Sequence, residues 1–382
     1  MPRIVVSAGD ISGDIQAARV IKEIKKRTSD IEISGMGSDC LRQEGVNVII
    51  DPTEISTIGF KEAFDNFKIH YQHLQIMKDF IDKNQPDVLF LVDYSGFNML
   101  LARAAGKRDI PVVNYFAPSA WIWGKWRAKW MARTEALIAS VFPMERNVYL
   151  EAGARVEFVG HPLLDIVRVK DIKRKIYKKL EINPKKPVIG LMPGSRVGEI
   201  RSLLPEILSA VEKLNKKYGN NSIQFILPTA SGIDKQRIRN IISEHKVVIK
   251  LVENYTYEVM EISDLMIIAS GTATLEAAII NTPMIIIYKT SPSTYYLGKY
   301  LSYLDSIGLP NIIANNKIVP ELIQNDVSGD KISEKVSYFL KKPYLLKGIE
   351  KKLAKVEEML GEKGATARTA DLVLREGAIQ YD

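Results

Sequence analysis

Short apolar runs alternate along the chain with longer amphipathic segments. A first series of runs has the length and character of buried strands, at 3–7, 31–36, 46–50, 88–92, 111–116, 137–142 and 156–159. A second series follows at 188–192, 223–227, 247–251, 265–269 and 284–288. Segments between them, such as 15–26 and 60–83, repeat their apolar residues at helical spacing. This alternation predicts an α/β protein with two Rossmann-like domains, whose parallel sheets face each other across a cleft.

A charged stretch at 165–186, which ends in Asn183-Pro184, separates the two series of strands. We therefore predict a first domain at 1–164 and a second at 165–349. The charged C-terminal segment has helical character, and we expect a helix at about 350–382 to pack back on the first domain.

Composition narrows the class of protein further. A chain of 382 residues suits two domains, and a net charge of +8 favours phosphorylated ligands, nucleic acid or an anionic membrane surface as partners. The single cysteine, Cys40, excludes an internal disulfide framework and fits a reducing compartment. No apolar run approaches the roughly 20 residues that span a bilayer, and the first strand begins at Arg3. We expect a cytoplasmic protein whose membrane contact, if any, is peripheral.

The stretch at 263–288 organises the second domain. It reads as a strand, a loop of small residues from Ser270 to Thr274, a helix, a turn at Pro283 and a second strand. A backbone with such small side chains can approach an anion, and the amides at the start of the helix are free to bind it. Glu276, inside that helix, is placed to accept hydrogen bonds from a ribose. The alternative is an ordinary strand–helix–strand unit without a ligand.

A second loop of this kind follows the strand at 188–192. Gly194 and Ser195 allow a phosphate to approach the backbone, and Arg196 offers a guanidinium to its oxygens. The loop lacks the Gly-Lys-Ser/Thr ending of a nucleotide triphosphatase loop.

Acids follow two strands of the first domain. Asp10 and Asp14 lie in a glycine-containing loop that differs from a dinucleotide fingerprint, and we interpret the loop as the wall of an acceptor pocket. The alternative for Asp14 is that it caps the following helix. Asp93 comes directly after the strand at 88–92, where ligands bind in open sheets, and is a candidate general base. Its alternative is also a helix cap.

The histidines give weaker signals. His70 and His73 lie at helical spacing, but their neighbourhood offers no third and fourth metal ligand, so we interpret them as solvated. His161 either lines the cleft or is a histidine with satisfied hydrogen bonds at a crossover. The chain contains no Asp-x-Asp pair, so we expect no metal at a diphosphate site.

All four tryptophans fall within ten residues, Trp121 to Trp130, interleaved with basic side chains. Trp123, Trp126 and Trp130 share one face if the stretch is helical, with Lys125, Arg127, Lys129 and Arg133 beside it. Such a surface suits contact with anionic lipid. The competing interpretation is that some tryptophans pack into the first domain, as we expect for Trp121.

Seven motifs together resemble the lipid-A-disaccharide synthase family. They occur in that family's order over nearly the whole chain: Ala8-Gly9-Asp10-x-Ser12-Gly13-Asp14, Asp93-x-x-x-Phe97-Asn98, Pro118-Ser119-x-Trp121-x-Trp123, Gly160-His161-Pro162, Pro193-Gly194-Ser195-Arg196-x-x-Glu199, Ala269-Ser270-Gly271-Thr272-Ala273-x-x-Glu276 and Leu309-Pro310-Asn311. Three positions depart from the pattern: Asp10 where the family usually has Glu, Gly96 in place of a common second acid, and Gly124 in place of a basic residue.

The resemblance implies a GT-B fold and an inverting transfer of 2,3-diacylglucosamine from its UDP carrier to 2,3-diacylglucosamine 1-phosphate, with release of UDP. It needs no cofactor and no nucleic acid, and it places the enzyme on the cytoplasmic face of the inner membrane, at an anionic surface. It assigns the base to Asp93, with Asp10 and Arg196 as further catalytic residues. The implied UDP site comprises Gly194, Ser195, Arg196, Glu199, Ser270, Gly271, Thr272, Ala273 and Glu276. The implied acceptor and lipid site comprises Ser12, Asp14, Asn98, Trp123, Trp126, Arg127, Trp130 and Asn311.

Two alternatives remain at this point. One is another UDP-sugar enzyme of the same fold, such as a 2-epimerase or a peptidoglycan-type transferase. The other is a non-catalytic protein that binds an anionic lipid.

Overall fold

The computed structural model describes residues 1–54, 60–229 and 235–380. The chain forms two compact units, Met1–Pro162 with Leu360–Asp382, and Leu163–Met359. The sequence predicts a domain boundary between residues 164 and 165, and a C-terminal helix that packs on the first domain from about residue 350. The chain rejoins the first unit later than this, at Leu360, because the helix Pro343–Met359 packs on helices of the second unit.

The first unit contains a seven-stranded parallel sheet in the order β3-β2-β1-β4-β5-β6-β7. Its strands are β1 Arg3–Ala8, β2 Glu32–Met36, β3 Asn47–Ile50, β4 Val88–Val92, β5 Val112–Tyr115, β6 Leu137–Ser140 and β7 Arg155–Phe158. Its helices are α1 Ile11–Arg27, α2 Asp39–Gln43, α3 Phe60–Asn84, α4 Ser95–Gly106, α5 Trp126–Ala132 and α6 Pro143–Glu151, together with the C-terminal helix Ala365–Glu376.

Helices cover both faces of this sheet, which explains its continuous apolar strands. All five residues of β4 are buried. Leu89 and Leu91 pack into a cluster with Met77 of α3 and Leu101 of α4. On the other face, α1 and the C-terminal helix contact β4. A parallel strand buried on both faces needs apolar side chains at every position, so its sequence does not alternate.

The first helix begins four residues earlier than the apolar spacing predicts. Asp10 is its N-cap, and the carboxylate accepts a hydrogen bond from the Gly13 amide at 2.6 Å. The cap satisfies an amide that would otherwise lack a partner, so Ser12 and Asp14 belong to the first turn rather than to a loop.

The second unit contains a six-stranded parallel sheet in the order β10-β9-β8-β11-β12-β13. Its strands are β8 Val188–Met192, β9 Gln224–Thr229, β10 Lys250–Glu253, β11 Leu265–Ala269, β12 Met284–Tyr288 and β13 Glu321–Ile323. Its helices are α7 Leu163–Ile166, α8 Lys173–Lys179, α9 Val197–Tyr218, α10 Lys235–Ser243, α11 Thr256–Ile262, α12 Thr272–Ile279, α13 Pro292–Leu301, α14 Leu309–Ile313, α15 Gly329–Lys341 and α16 Pro343–Met359, and the C-terminal helix of the first unit is α17.

The predicted α/β class with two parallel-sheet, Rossmann-like domains is confirmed. The strands predicted at 88–92, 188–192, 265–269 and 284–288 have those bounds in the structure. Other bounds in the second unit differ. β9 spans Gln224–Thr229 rather than 223–227, β10 spans Lys250–Glu253 rather than 247–251, and α12 begins at Thr272 rather than 274.

Within the described residues, no helix combines the length and apolar character that crossing a bilayer requires.

One buried carboxyl stands out in the first unit. Glu145, in the first turn of α6, is buried, and its Oε2 accepts a hydrogen bond from the Val141 amide at 2.8 Å. Burial disfavours the charged form and raises the pKa of Glu145 to about 8. The folded protein therefore holds this proton more tightly than the unfolded chain does.

This shift predicts a pH dependence of stability. The contribution of protonated Glu145 is complete below the ordinary pKa of 4.5 and is lost as the pH rises towards about 8. A Glu145→Gln variant keeps the shape and cannot ionise. The free energy of unfolding of the wild type, relative to this variant, should fall by roughly 2–5 kcal/mol over that range. Urea denaturation at pH 5 and pH 8 measures it, and equal pH slopes in the two proteins would contradict it.

Candidate active site

The second unit has a cavity of about 820 Å³ at the carboxyl ends of β8 and β11. The first turns of α9 and α12 close one side of it, so helix amides and small side chains dominate its wall. The structure brings all nine residues of the predicted UDP site to this cavity: Gly194, Ser195, Arg196, Glu199, Ser270, Gly271, Thr272, Ala273 and Glu276.

Glu199 shapes the first loop of this cavity. Its Oε2 accepts hydrogen bonds from the amides of Ser195 at 3.1 Å and Arg196 at 3.3 Å. A side chain at Gly194, which has φ of +102°, would overlap the Glu199 carboxylate. The Glu199 carboxylate therefore holds the loop in shape through Oε2.

Arg196 is the exposed cation of the same loop. Its guanidinium contacts Glu199 at 3.3 Å, and its side chain is 86% exposed. An exposed ion pair of this kind contributes little stability, so Arg196 can exchange Glu199 for phosphate oxygens at small cost.

The second loop presents the start of α12. Thr274 donates its hydroxyl to the Gly271 carbonyl at 2.7 Å, and Ser270 donates its hydroxyl to the Ile307 carbonyl at 2.9 Å. Both hydroxyls are thereby engaged by backbone carbonyls, and the amides at 272–273 at the start of α12 are the groups that can bind an anion. The positive end of the helix dipole adds to the attraction.

Glu276 lies half-buried one turn further along α12. The Tyr257 hydroxyl donates to its Oε1 at 3.2 Å, and burial raises the pKa of the carboxyl. The group can accept hydrogen bonds from sugar hydroxyls at the cavity wall.

Sequence reasoning missed part of this cavity. Arg168 and Lys170 also line it, and both are exposed. They lie in the charged stretch at 165–186, where the absence of periodicity hid them. Two basic residues at every second position, close to the predicted domain boundary, were the only sequence pattern that could have indicated them. Their positive charges would add to that of Arg196.

In the first unit, Asp93 follows β4 directly in a left-handed conformation, with φ of +51°. Its amide donates to the Tyr115 carbonyl at 3.0 Å, and its carbonyl accepts from the Asn98 side chain at 2.7 Å. Its Oδ1 accepts from the Tyr94 amide at 2.8 Å. Burial, and then the charge of Asp10, raise the pKa of Asp93. A carboxylate with increased proton affinity at a strand end is suited to accept a proton.

Asp14 does not stand free beside Asp93. It is buried, and its carboxylate accepts from the amides of Ser38 at 2.7 Å and Cys40 at 2.9 Å. It therefore caps α2, whereas the cap considered for it in the sequence was that of its own helix. Ser12, in the turn before it, is exposed.

Two asparagines of the predicted acceptor site are internal instead. Asn98 is fully buried, and its Oδ1 accepts from the Ser7 hydroxyl at 2.7 Å. Asn311 is also buried; it donates to the Val319 carbonyl and Glu321, and accepts from the amides of Ile318 and Val319. Buried amides with satisfied hydrogen bonds hold loops in place, so the ligand role expected for these residues does not follow from their geometry.

The histidines also differ from expectation in part. His161 is buried between Phe116 and Phe142, and burial lowers its pKa to about 3, so it is neutral. His70 is not simply solvated, because its Nδ1 lies 2.8 Å from the Tyr94 hydroxyl. Among the described residues, no cluster of three or more histidine, cysteine or acidic side chains could hold a metal ion.

The tryptophan stretch is only partly helical. α5 begins at Trp126, so Trp123 lies outside it and the predicted three-tryptophan helix face is wrong. Trp121 packs on Phe142 in the core, as expected. Trp130 is partly buried, whereas Trp123 and Trp126 are 42% and 56% exposed.

Arg127 is buried, in contrast to the surface position predicted for it. Its guanidinium donates to the carbonyls of Ser119 at 3.0 Å and Trp123 at 2.6 Å, and lies 3.9 Å from the centre of the Trp123 ring. It fixes the loop that presents the exposed tryptophans. Lys125, Lys129 and Arg133 are exposed.

Two Rossmann-like units, each built on a parallel sheet with small-residue or acidic loops at its strand ends, define a fold of the GT-B type. A solved structure, the UDP-GlcNAc 2-epimerase of Neisseria meningitidis bound to UDP-GlcNAc, has a TM-score of 0.63 and covers 98% of this chain and 100% of its own, at 16% identity. That likeness shows the fold.

Sequence comparison gives the family. The family model described as lipid-A-disaccharide synthetase matches residues 4–373. The lipid-A-disaccharide synthase of Geobacter sulfurreducens is 38% identical over 372 residues, covering 97% of this chain and 96% of that protein. The synthase of Persephonella marina is 34% identical over 381 residues, covering 98% of both. The chain belongs to the lipid-A-disaccharide synthase family and is a glycosyltransferase of lipid A biosynthesis.

Proposed function

We propose that this enzyme transfers 2,3-diacylglucosamine from UDP-2,3-diacylglucosamine to 2,3-diacylglucosamine 1-phosphate, giving the β-1,6-linked disaccharide 1-phosphate and UDP. The observation that carries the chemistry is Asp93, a carboxylate at a strand end whose surroundings raise its pKa. Mass spectrometry of the products from these two substrates tests the proposal. A product in which the donor sugar is epimerised but not transferred would support the 2-epimerase alternative instead.

The cavity of the second unit suits a UDP donor. The amides of α12 and the Gly194–Ser195 backbone face a diphosphate, and Arg196 supplies a cation. These groups balance the charge that develops on the departing UDP. Glu276, half-buried at the wall, accepts hydrogen bonds from the ribose.

The acceptor reacts at the carboxyl end of β4. Asp93 takes the proton from the 6-hydroxyl of the acceptor as its oxygen forms a bond to the anomeric carbon of the donor. The bond from that carbon to the diphosphate oxygen breaks, and its electron pair leaves with UDP. Attack from the side opposite the leaving group inverts the anomeric carbon. Asp10, whose charge adds to burial in raising the pKa of Asp93, strengthens the base.

Exposed indoles bring the enzyme to its lipid substrates. Trp123 and Trp126 expose their rings in one short segment, with Lys125 and Lys129 exposed beside them. Indoles favour the headgroup layer, and each nearby cation adds about 1 kcal/mol on an anionic leaflet. We place this contact on the cytoplasmic face of the inner membrane.

Asp93→Asn should leave substrate affinity near normal and lower turnover about 10²- to 10⁴-fold, as for loss of a general base. Asparagine tolerates the left-handed backbone and can accept the Tyr94 hydrogen bond, but it cannot take the proton. Initial rates with both substrates measure it. Asp109→Asn, another left-handed aspartate of the same unit, outside the site, is the matched control. Turnover of Asp93→Asn within a few-fold of wild type would place the base elsewhere.

Arg196→Ala should weaken UDP binding by about 1.5–3 kcal/mol, roughly 10- to 150-fold in Kd, because one charge-assisted contact is lost. The fold should survive, since the side chain is 86% exposed. Calorimetric titration with UDP measures the affinity. Arg201→Ala, on the helix that follows the Arg196 loop and outside the cavity lining, should bind UDP like the wild type. Equal affinity in both variants would remove Arg196 from the site.

The double substitution Trp123→Ser and Trp126→Ser should reduce sedimentation with anionic liposomes by about tenfold or more, because two exposed rings bury apolar area at roughly 25 cal/mol per Å². Binding of the wild type should weaken with added salt. Tyr344→Ser, which removes a 65% exposed ring of the second unit, serves as the control. If the double variant sediments like the wild type, the indoles do not contact lipid.

A further inference from the structure

Two consecutive residues at the end of β4 adopt a backbone conformation that their side chains disfavour. Asp93 has φ of +51° and Tyr94 has φ of +48°. Aspartate visits this region with modest strain, but a bulky aromatic residue there is an outlier. Strain of this kind persists only where surrounding contacts determine the conformation, and it concentrates at functional sites.

Contacts from three elements hold the Tyr94 side chain. A Cβ built on Gly9, just after β1, would overlap the Tyr94 ring, so the ring lies directly against the Gly9 backbone. The Tyr94 hydroxyl lies 2.8 Å from Nδ1 of His70 on α3. The Phe97 ring, on α4, packs against it with centroids 5.5 Å apart.

This anchoring reaches the Asp93 carboxylate through the backbone. The Tyr94 amide donates to Oδ1 of Asp93 at 2.8 Å, and its direction depends on the left-handed turn. The Asp93 carbonyl is held separately by Asn98 at 2.7 Å. Tyr94 thus fixes one oxygen of the carboxylate through its amide.

We propose that Tyr94, seated on Gly9 and anchored by His70, is a positioning residue that sets the orientation of the Asp93 carboxylate for proton transfer. The proposal rests on the proposed function, in which Asp93 is the base. It adds an assignment for Gly9 and His70, which act on Asp93 through the Tyr94 ring and hydroxyl. The competing role is simple space filling, in which the ring contributes only stability.

Two series of variants separate these roles. Tyr94→Phe keeps the ring on Gly9 and loses the bond to His70, and Tyr94→Ala loses both. His70→Ala removes the same bond from the other side. His73→Ala is its matched control, because His73 is a half-buried histidine of the same helix, one turn from the residue that bonds Tyr94. Circular dichroism verifies that each variant is folded. UDP affinity verifies that the second unit, which carries none of the substitutions, is unchanged.

We expect kcat to fall about 3- to 10-fold in Tyr94→Phe and in His70→Ala, and about 30- to 100-fold in Tyr94→Ala, as for a misplaced catalytic group. KM for both substrates should stay within about threefold, because binding is not the step affected. His73→Ala should match the wild type. The acid limb of the kcat/KM profile should move to lower pH in Tyr94→Ala, since a better hydrated Asp93 has a lower pKa while Asp10 still faces it.

The outcomes distinguish this proposal from the assignment of the base. If Asp93→Asn loses its rate while folded Tyr94→Ala retains kcat and the acid limb of the wild type, Asp93 remains the base and the positioning role is overturned. A lower melting temperature with unchanged kcat likewise overturns the positioning role and supports space filling. If Asp93→Asn retains its rate, both assignments fail together.

Discussion

Parallel strands bring all their carboxyl ends to one edge of a sheet, and each loop that carries candidate site residues in this protein follows such an end. Asp10 follows β1, Asp93 follows β4, and the loops that line the cavity of the second unit follow β8 and β11. The sheets keep this arrangement because helices bury both faces of their central strands. The four loops therefore lie at the same edge of their sheets although they differ from one another in sequence and charge.

Buried polar groups give these loops their shape. Asp14 caps α2, Asn98 holds the carbonyl of Asp93, and Glu199 gathers two amides of its loop. Each group satisfies backbone atoms that would otherwise be unpaired inside the protein. The sequence motifs thus contain two kinds of polar residue: those exposed at a strand end or in the cavity lining, and those whose hydrogen bonds hold the loops in place. Asn311, with its amide engaged by Val319, belongs to the second kind.

The first unit combines apolar burial with strained geometry around one carboxylate. Burial and Asp10 raise the pKa of Asp93, and the turn that presents it is held from β1, α3 and α4 through Tyr94. The base that we propose needs both a proton affinity and a fixed direction, and different neighbours of Asp93 supply the two. The cavity of the second unit presents amides and an exposed arginine instead, and the diphosphate that we propose for it requires positive charge rather than a proton acceptor.

The sequence by itself determined the α/β class, several strand bounds to the residue, the family, and the set of residues that meets at the cavity of the second unit. These follow from local properties: apolar runs of strand length, and small residues directly after them. Tertiary structure alone decided what each polar side chain does. Asp14 reaches a helix 24 residues away, Arg127 turns inward to carbonyls while Trp126 faces solvent, and Tyr94 meets a histidine on another helix. Partners of this kind depend on how distant segments pack, which spacing along the chain does not specify.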